Sequence, residues 1–413
     1  MDQQNSTDMS RRIVVTGIGM VTPLGIGKNE FGRKLFSGES GIAEIKSFDT
    51  GTFSSHLGAE VTNFNPRDFI SVKNMRRMDK TSLMTAAAAR IALEDAEIKI
   101  TSENRDRVGI ILGTAFGATD VTAQFAGTLL QQGPASVNPI LVPNVVMNAP
   151  AGHASIELGF RGVNTTVTHF AVSAETAIAY AADEIRRGTA DFILTGGSDI
   201  LAKFYYECLT KFHAISPQNK APENCRPFDL DRNGTIAGEG SGILCLESME
   251  SAMSRGRRPY CELKGVGMGS SPEEPTAWPQ NADGIKRTMN RALKKACLSI
   301  REIEAIFAAA NGDRILDATE ADAYENIFAG LERQPFITTN KGATGESYSG
   351  GGIRACALVL SLENNVLPPA VGLINPLRPL NFIKGEKKEV KINSAVLAGI
   401  SFGGTYTYLI FGR

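Results

Sequence analysis

Thiols and imidazoles are the side chains in this sequence best suited to nucleophilic or metal chemistry, and their spacing points to neither. Six cysteines stand at 208, 225, 245, 261, 297 and 356 without a C-x-x-C pair, and four histidines stand at 56, 153, 169 and 213. Scattered in this way they read as buried, reduced thiols and isolated rings, with no metal or cofactor expected. Glycine clusters are the second chemical signal, because glycine permits positive φ and close approach of backbone to a ligand or a packed helix. They occur at Gly17-Ile18-Gly19, Gly196-Gly197-Ser198, Gly238-Glu239-Gly240-Ser241-Gly242, Gly350-Gly351-Gly352 and Gly403-Gly404. The first is not a dinucleotide fingerprint: the third glycine is absent, and Pro23 falls where a phosphate-capping helix should run.

The elements that must position these clusters alternate between strand-like and Ala-rich helical runs, the pattern of sheets covered by helices on both faces, so the class is α/β. Strands are expected at Ile13–Gly17, Val108–Gly113, Asp191–Gly197, Gly242–Glu247, Ala305–Ala310 and Val396–Gly399, and helices at Thr81–Ala96, Glu175–Gly188 and Ile285–Ala296. A basic, Gly-interrupted stretch from Ser251 to Pro259 is the expected boundary between two halves, 1–252 and 253–413. Each half carries a strand, a small-residue turn and a small-residue helix (Thr165–Ala182 and Thr338–Leu360), with no repeat at fixed period.

With 413 residues, 42% apolar and 21% charged, the chain can bury a large core. A net charge of −1 supplies no basic field for nucleic acid and no polybasic stretch for an anionic membrane. The first ten residues are polar and the apolar run after them, Ile13 to Val15, is too short for a signal or a membrane span, so a cytoplasmic location is expected.

Ordered motifs along nearly the whole chain, roughly residues 11 to 411, carry a resemblance. They run Arg12-Ile-Val-Val-Thr-Gly-Ile-Gly-Met-Val-Thr-Pro-Leu-Gly25, Gly38-Glu-Ser-Gly-Ile42, Phe48-Asp49, Met78-Asp79, Ala151-Gly152-His153, Thr195-Gly-Gly-Ser198, Arg226-Pro-Phe-Asp229, Gly238-Glu-Gly240, Lys341-Gly-Ala-Thr-Gly345 and Ser401-Phe-Gly-Gly-Thr405. The sequence resembles β-ketoacyl-[acyl carrier protein] synthases of the elongating type. The resemblance implies a five-layered αβαβα thiolase fold with two related halves, and an intimate dimer. It also implies a cysteine nucleophile at a helix N-terminus, backbone N–H groups forming an oxyanion hole, and two histidines that assist malonyl decarboxylation.

Aligned on those motifs, the nucleophile position falls on Ala171, the first histidine position on Asn311 and the second on Glu346, while the accompanying lysine is kept as Lys341. Loss of one member of such a cooperative set can cost on the order of a million-fold in rate, so condensation by this chain is not expected. Glu346 would also oppose a malonyl carboxylate by ~4 kcal/mol at ~4 Å and an effective dielectric near 20. Its expected role is to pair with Lys341 or Asn311 and fill the vacated site. Glu320 aligns with an acidic residue that supports the lysine in the family, and its expected role in this chain is structural. His169 is expected to be structural or pocket-filling, and Ser173 a small packing residue at the helix start, since no histidine remains to activate it. Phe116 reads either as a ring that shortens the acyl pocket or as a core aromatic. Phe170, Ser401 and Phe402 line the pocket or its gate, and serine in place of the usual glycine at 401 is expected to stiffen that gate. Arg76 and Arg77 are a candidate carrier-protein dock.

The functional expectation is a chain-length-factor-like partner of a cysteine-containing ketosynthase in type II polyketide, aryl-polyene or fatty-acid-like biosynthesis, with acyl carrier protein as a further partner. Segments Phe116–Leu130 and Val137–Val146 would shape the partner's acyl tunnel. Two alternatives stand beside it: a homodimeric enzyme using Glu346 as base with Asn311 and Lys341 stabilising an oxyanion, and a structural homodimer that binds carrier proteins without altering their cargo.

Overall fold

Gly17 and Gly19 lie on a fully buried strand, and a Cβ on either would sit 2.2 or 2.0 Å from the backbone oxygens of Ala92 and Ala88. The first glycine cluster therefore serves helix-on-strand packing. Gly265 and Gly267 repeat the arrangement in the second half, where a Cβ would lie 2.4 and 2.1 Å from the backbone oxygens of Ala292 and Thr288. This shared contact marks two related halves.

A computed structural model describes residues 11–413, and the polar opening decapeptide lies outside them. The first half contributes strands β1 (Ile13–Thr22), β2 (Val108–Gly113), β3 (Asn164–Val167), β4 (Phe192–Asp199) and β5 (Gly240–Ser248). The second contributes β6 (Cys261–Ser270), β7 (Ala305–Phe307), β8 (Phe336–Thr338), β9 (Ser394–Ser401) and β10 (Thr405–Gly412). Their spatial orders are β1-β5-β4-β2-β3 and β6-β10-β9-β7-β8, so each half reads first, fifth, fourth, second, third. In both, the first three neighbours pair antiparallel and the last two pairings are parallel. Short antiparallel pairing of Val14 with Glu262 and Val15 with Cys261 joins the halves edge to edge.

Helix α1 (Lys80–Asp95) covers the outer face of β1, α2 (Thr119–Gln132) follows β2, α4 (Asp283–Ala296) covers β6, and α5 (Arg314–Ile327) follows β7. Helices α3 (Ser173–Arg186) and α6 (Gly351–Asn364) form the middle layer and touch strands of both halves. Residues Gly351 to Leu362 of α6 are all buried, as a helix enclosed on every side requires. Sheets, outer helices and this shared inner pair make the five-layered αβαβα thiolase fold. Arg354 of α6 forms an ion pair with Glu175 of α3 in the middle layer and donates to the carbonyls of Ala308 and Ala398 at 2.9 and 2.5 Å.

Two readings are corrected. The expected strand Ala305–Ala310 ends at Phe307, because the N–H groups of Ala309 and Ala310 turn to the Glu320 carboxylate at 2.9 and 2.7 Å. The cysteines are not uniformly buried: Cys297 is exposed in a left-handed position after α4, and Cys208 is half-buried. Among the described residues no helix is long and apolar enough to cross a membrane.

The packing argument predicts that Gly19→Ala, whose methyl meets helix backbone, costs about 2–3 kcal/mol or prevents folding. Gly127→Ala, with open space at a helical position, should leave stability unchanged or raise it by up to about 1 kcal/mol. Denaturant titration of both variants checks the contrast.

Candidate functional site

Three loops of the second half converge with the start of α3. The loop after β7 carries Asn311, a short helical turn (Lys341–Thr344) carries Lys341 and leads to Glu346, and the β9–β10 turn carries Ser401 and Phe402. Glu346 and Asn311 are fully buried and Lys341 is 4% exposed. Glu346 Oε2 accepts from Asn311 Nδ2 at 2.9 Å and Lys341 Nζ at 2.5 Å, while Oε1 accepts from the Tyr348 N–H at 2.9 Å. Glu346 N donates to the Ile236 carbonyl at 2.7 Å, and its own carbonyl accepts from Gly238 at 2.9 Å. The carboxylate is thus saturated by donors, with its charge matched by one lysine.

Both pairings expected of Glu346 are present together, whereas Lys341 is not supported by Glu320. Glu320 instead accepts from Ala309, Ala310 and the Tyr324 hydroxyl, the last at 2.7 Å, and burial pushes its pKa up. Asp317 holds the Asn311 turn by accepting from the N–H groups of Asn311 at 3.0 Å and Phe228 at 2.7 Å. Burial nonetheless pushes its pKa up to about 7. Cys225 faces the carbonyls of Asn311 and Lys341 at 3.4 and 3.5 Å, and burial pushes the thiol up to about 12, away from the thiolate form that a nucleophile needs.

Ala171 occupies a 3₁₀ turn (Phe170–Val172) that leads into α3, and it is 2% exposed. The turn is tight: Phe170 has φ of 47°, and Ser173 Oγ accepts from the His169 N–H at 2.8 Å while donating to the Phe170 carbonyl at 2.7 Å. Ser173 is therefore committed to the turn. Of the two roles expected of His169, pocket-filling is not seen, since its side chain and that of Phe170 are exposed in this chain, while its backbone N–H and carbonyl hold the turn. Ser401 has φ −130° and ψ 159°, a conformation open to any residue, so this conformation does not itself require glycine. Its hydroxyl instead accepts from the Ala171 N–H and donates to the His169 carbonyl, both at 3.2 Å.

Between these two polar groups lies a run of aromatic rings. Phe116 packs on Tyr205 with centroids 4.0 Å apart, on Tyr348 at 5.6 Å and on Phe170 at 5.9 Å. Phe402 lies 6.0 Å from Tyr348 and stacks on Trp278 at 3.9 Å. Phe116 is therefore both a space-filling ring and part of the core. The backbone around it is fixed by Asp199, which accepts from Thr114 Oγ1 at 2.7 Å and from the N–H groups of Phe116 and Ser349 at 3.2 and 3.0 Å. Sequence reasoning missed Tyr205, Tyr348 and Trp278. Only Tyr348 had a usable signal, two residues after Glu346. Ser401, Phe402 and Tyr348 link Ala171 to the Asn311–Lys341–Glu346 group.

Removing one member of the buried pair exposes its value. Lys341→Met, which leaves Glu346 charged and short of a donor, should cost about 3–5 kcal/mol, and adding Glu346→Gln should recover part of the loss. Urea titration of the two single variants and the double variant measures the coupling.

Comparison with known proteins fits this geometry. Residues 10–252 match the family described as Beta-ketoacyl synthase, N-terminal domain, and residues 260–373 that described as Beta-ketoacyl synthase, C-terminal domain. The chain is 30% identical to the 3-oxoacyl-[acyl-carrier-protein] synthase 2 of Staphylococcus aureus (strain COL) over 410 residues, 98% of this chain and 99% of the relative. Among solved structures it resembles the ishigamide ketosynthase/chain length factor, with TM-score 0.89, 30% identity and coverage of 98% and 99% of the two chains. It also resembles a Beta-ketoacyl synthase from Burkholderia phymatum STM815, with TM-score 0.90, 26% identity and the same coverage. Two matched domains in their expected order, on a duplicated αβαβα scaffold, lead to one conclusion: the chain belongs to the β-ketoacyl synthase family.

Proposed function

We propose that this chain is a non-condensing ketosynthase subunit that acts as a chain-length-factor-type partner of a catalytic ketosynthase. The pathway would be type II polyketide, aryl-polyene or fatty-acid-like biosynthesis. In this reading Ala171 stands at the nucleophile position, and Asn311 and Glu346 stand at the two histidine positions. The observation that carries it is the closure of the site upon itself. Ala171 offers a methyl group that cannot hold an acyl chain, and Asn311 and Lys341 each give a donor to Glu346.

The surface supports a partner. Leu130 is 84% exposed, Ile140 51% and Phe170 48%, and Val142, Val146 and Met147 are exposed with them. These residues lie on α2, on the 3₁₀ segment after it and at the turn after edge strand β3. Clustered apolar side chains next to an unpaired strand edge favour a permanent protein interface. Similarity to the ishigamide ketosynthase/chain length factor favours a ketosynthase as occupant, and the names of the relatives favour acyl carrier protein as a second partner, with Arg76 and Arg77 as candidate contacts. A homodimer would use the same surface. The alternative of an enzyme using Glu346 as base is weakened by its environment, since both oxygens already accept hydrogen bonds, from Asn311, Lys341 and the Tyr348 N–H.

Co-expression with a cysteine-containing ketosynthase from the same gene neighbourhood should give a 1:1 complex, and Leu130→Asp with Val142→Asp should abolish it. Phe116→Ala in that complex should shift product length. A homodimer that condenses acyl and malonyl thioesters unaided would contradict the proposal.

A further inference from the structure

The N–H of residue 171 belongs to the turn that opens a 14-residue helix, where backbone donors have no partner inside the helix itself. It is also the donor that the carbonyl oxygen of an acyl group on residue 171's own side chain would reach, and such a donor stabilises the oxyanion formed on attack. Here it is already taken. Ser401, 1% exposed and 230 residues away in sequence, accepts from it at 3.2 Å and donates onward to the His169 carbonyl at 3.2 Å. The hydroxyl thereby ties both sides of the turn to the end of β9.

The segment that follows Ser401 is tied as well. Gly403, at φ 70°, donates to the Ala277 carbonyl at 3.1 Å, the Gly404 carbonyl accepts from Ser271 at 2.8 Å, and Trp278 stacks on Phe402 at 3.9 Å. A loop fastened at three points has little freedom to swing aside for a thioester. We propose that Ser401 is an internal plug, a positioning residue whose hydroxyl occupies the place of an acyl carbonyl oxygen and keeps the turn at 169–173 closed. Loss of the thiol is then not the only block to acyl transfer: a thiol restored at residue 171 meets a hole already filled. This inference rests on the placement of Ala171 at the acyl-attachment position and is independent of the identity of any partner subunit.

The test compares Ala171→Cys alone with Ala171→Cys combined with Ser401→Gly, Ser401→Ala or Ser401→Thr, all in the full chain and all checked for unchanged melting temperature. Each is treated with S-acetyl-pantetheine and, separately, with iodoacetamide, and intact mass gives the two rates. In acylation the introduced sulfur bonds to the acetyl carbon, the C–S bond of the thioester breaks, and pantetheine leaves as its thiol with the proton shed by the introduced thiol. In alkylation a C–S bond forms and iodide leaves, with no oxyanion to stabilise. The ratio of acylation to alkylation should rise about 10-fold or more when Ser401 becomes glycine or alanine, and stay low with threonine, which keeps the hydroxyl. Equal ratios in all four proteins overturn the plug, as does a rise with glycine but not alanine, which would assign the effect to backbone freedom. Alkylation without acylation in every variant overturns the placement of Ala171 and the plug with it.

Discussion

A carboxylate sealed from water must have its lone pairs answered by donors and its charge by a cation, and the site is organised around that demand at Glu346. The answer comes from Asn311, Lys341 and the backbone of Tyr348, three groups on two loops that meet at this carboxylate. Because Lys341 and Glu346 are both almost fully buried, neither can be lost alone without leaving an uncompensated group in a low-dielectric interior. The bond from its N–H places the Tyr348 backbone beside Glu346, and the Tyr348 ring packs on Phe116, Tyr205 and Phe402. Polar closure and aromatic filling are one structure.

The duplicated fold makes that convergence possible. Each half sends its inner helix, α3 or α6, into a shared middle layer, and the loops at the ends of β7, β8 and β9 open toward the start of α3. Contact at this depth requires missing side chains: a Cβ on Gly197 would lie 2.1 Å from the Ser349 carbonyl, and one on Gly352 2.2 Å from that of Gly242. The Glu175–Arg354 pair lies across the same seam.

Much of this was legible in the sequence. The strand positions, the inner and outer helices and the two-part plan followed from periodicity and from motif order, because buried strands and enclosed helices leave an apolar signature that local sequence carries. The proposed placement of Ala171, Asn311 and Glu346 at the thiol and imidazole positions rests on the alignment of motifs, whereas the Glu346–Lys341 pairing expected from charge is present in the structure. What escaped depends on contacts between distant segments. The aromatic run joins Phe116, Tyr205, Trp278, Tyr348 and Phe402 from five separate stretches, and no spacing rule connects them. Ser401 was noticed for the glycine it replaces, but its hydrogen bonds reach back to residues 169 and 171 and are invisible without the fold. His169, expected to be structural or pocket-filling, is exposed beside the turn that opens α3, and its backbone holds that turn.

The central claim is that this polypeptide carries no acyl chain of its own. Intact-mass measurement after incubation of the purified protein with an acyl-loaded carrier protein, before and after addition of malonyl-loaded carrier protein, tests it directly. The account predicts an unchanged mass at both steps; a stable mass increase equal to the acyl group, lost as a β-ketoacyl product when malonyl thioester is supplied, would contradict it.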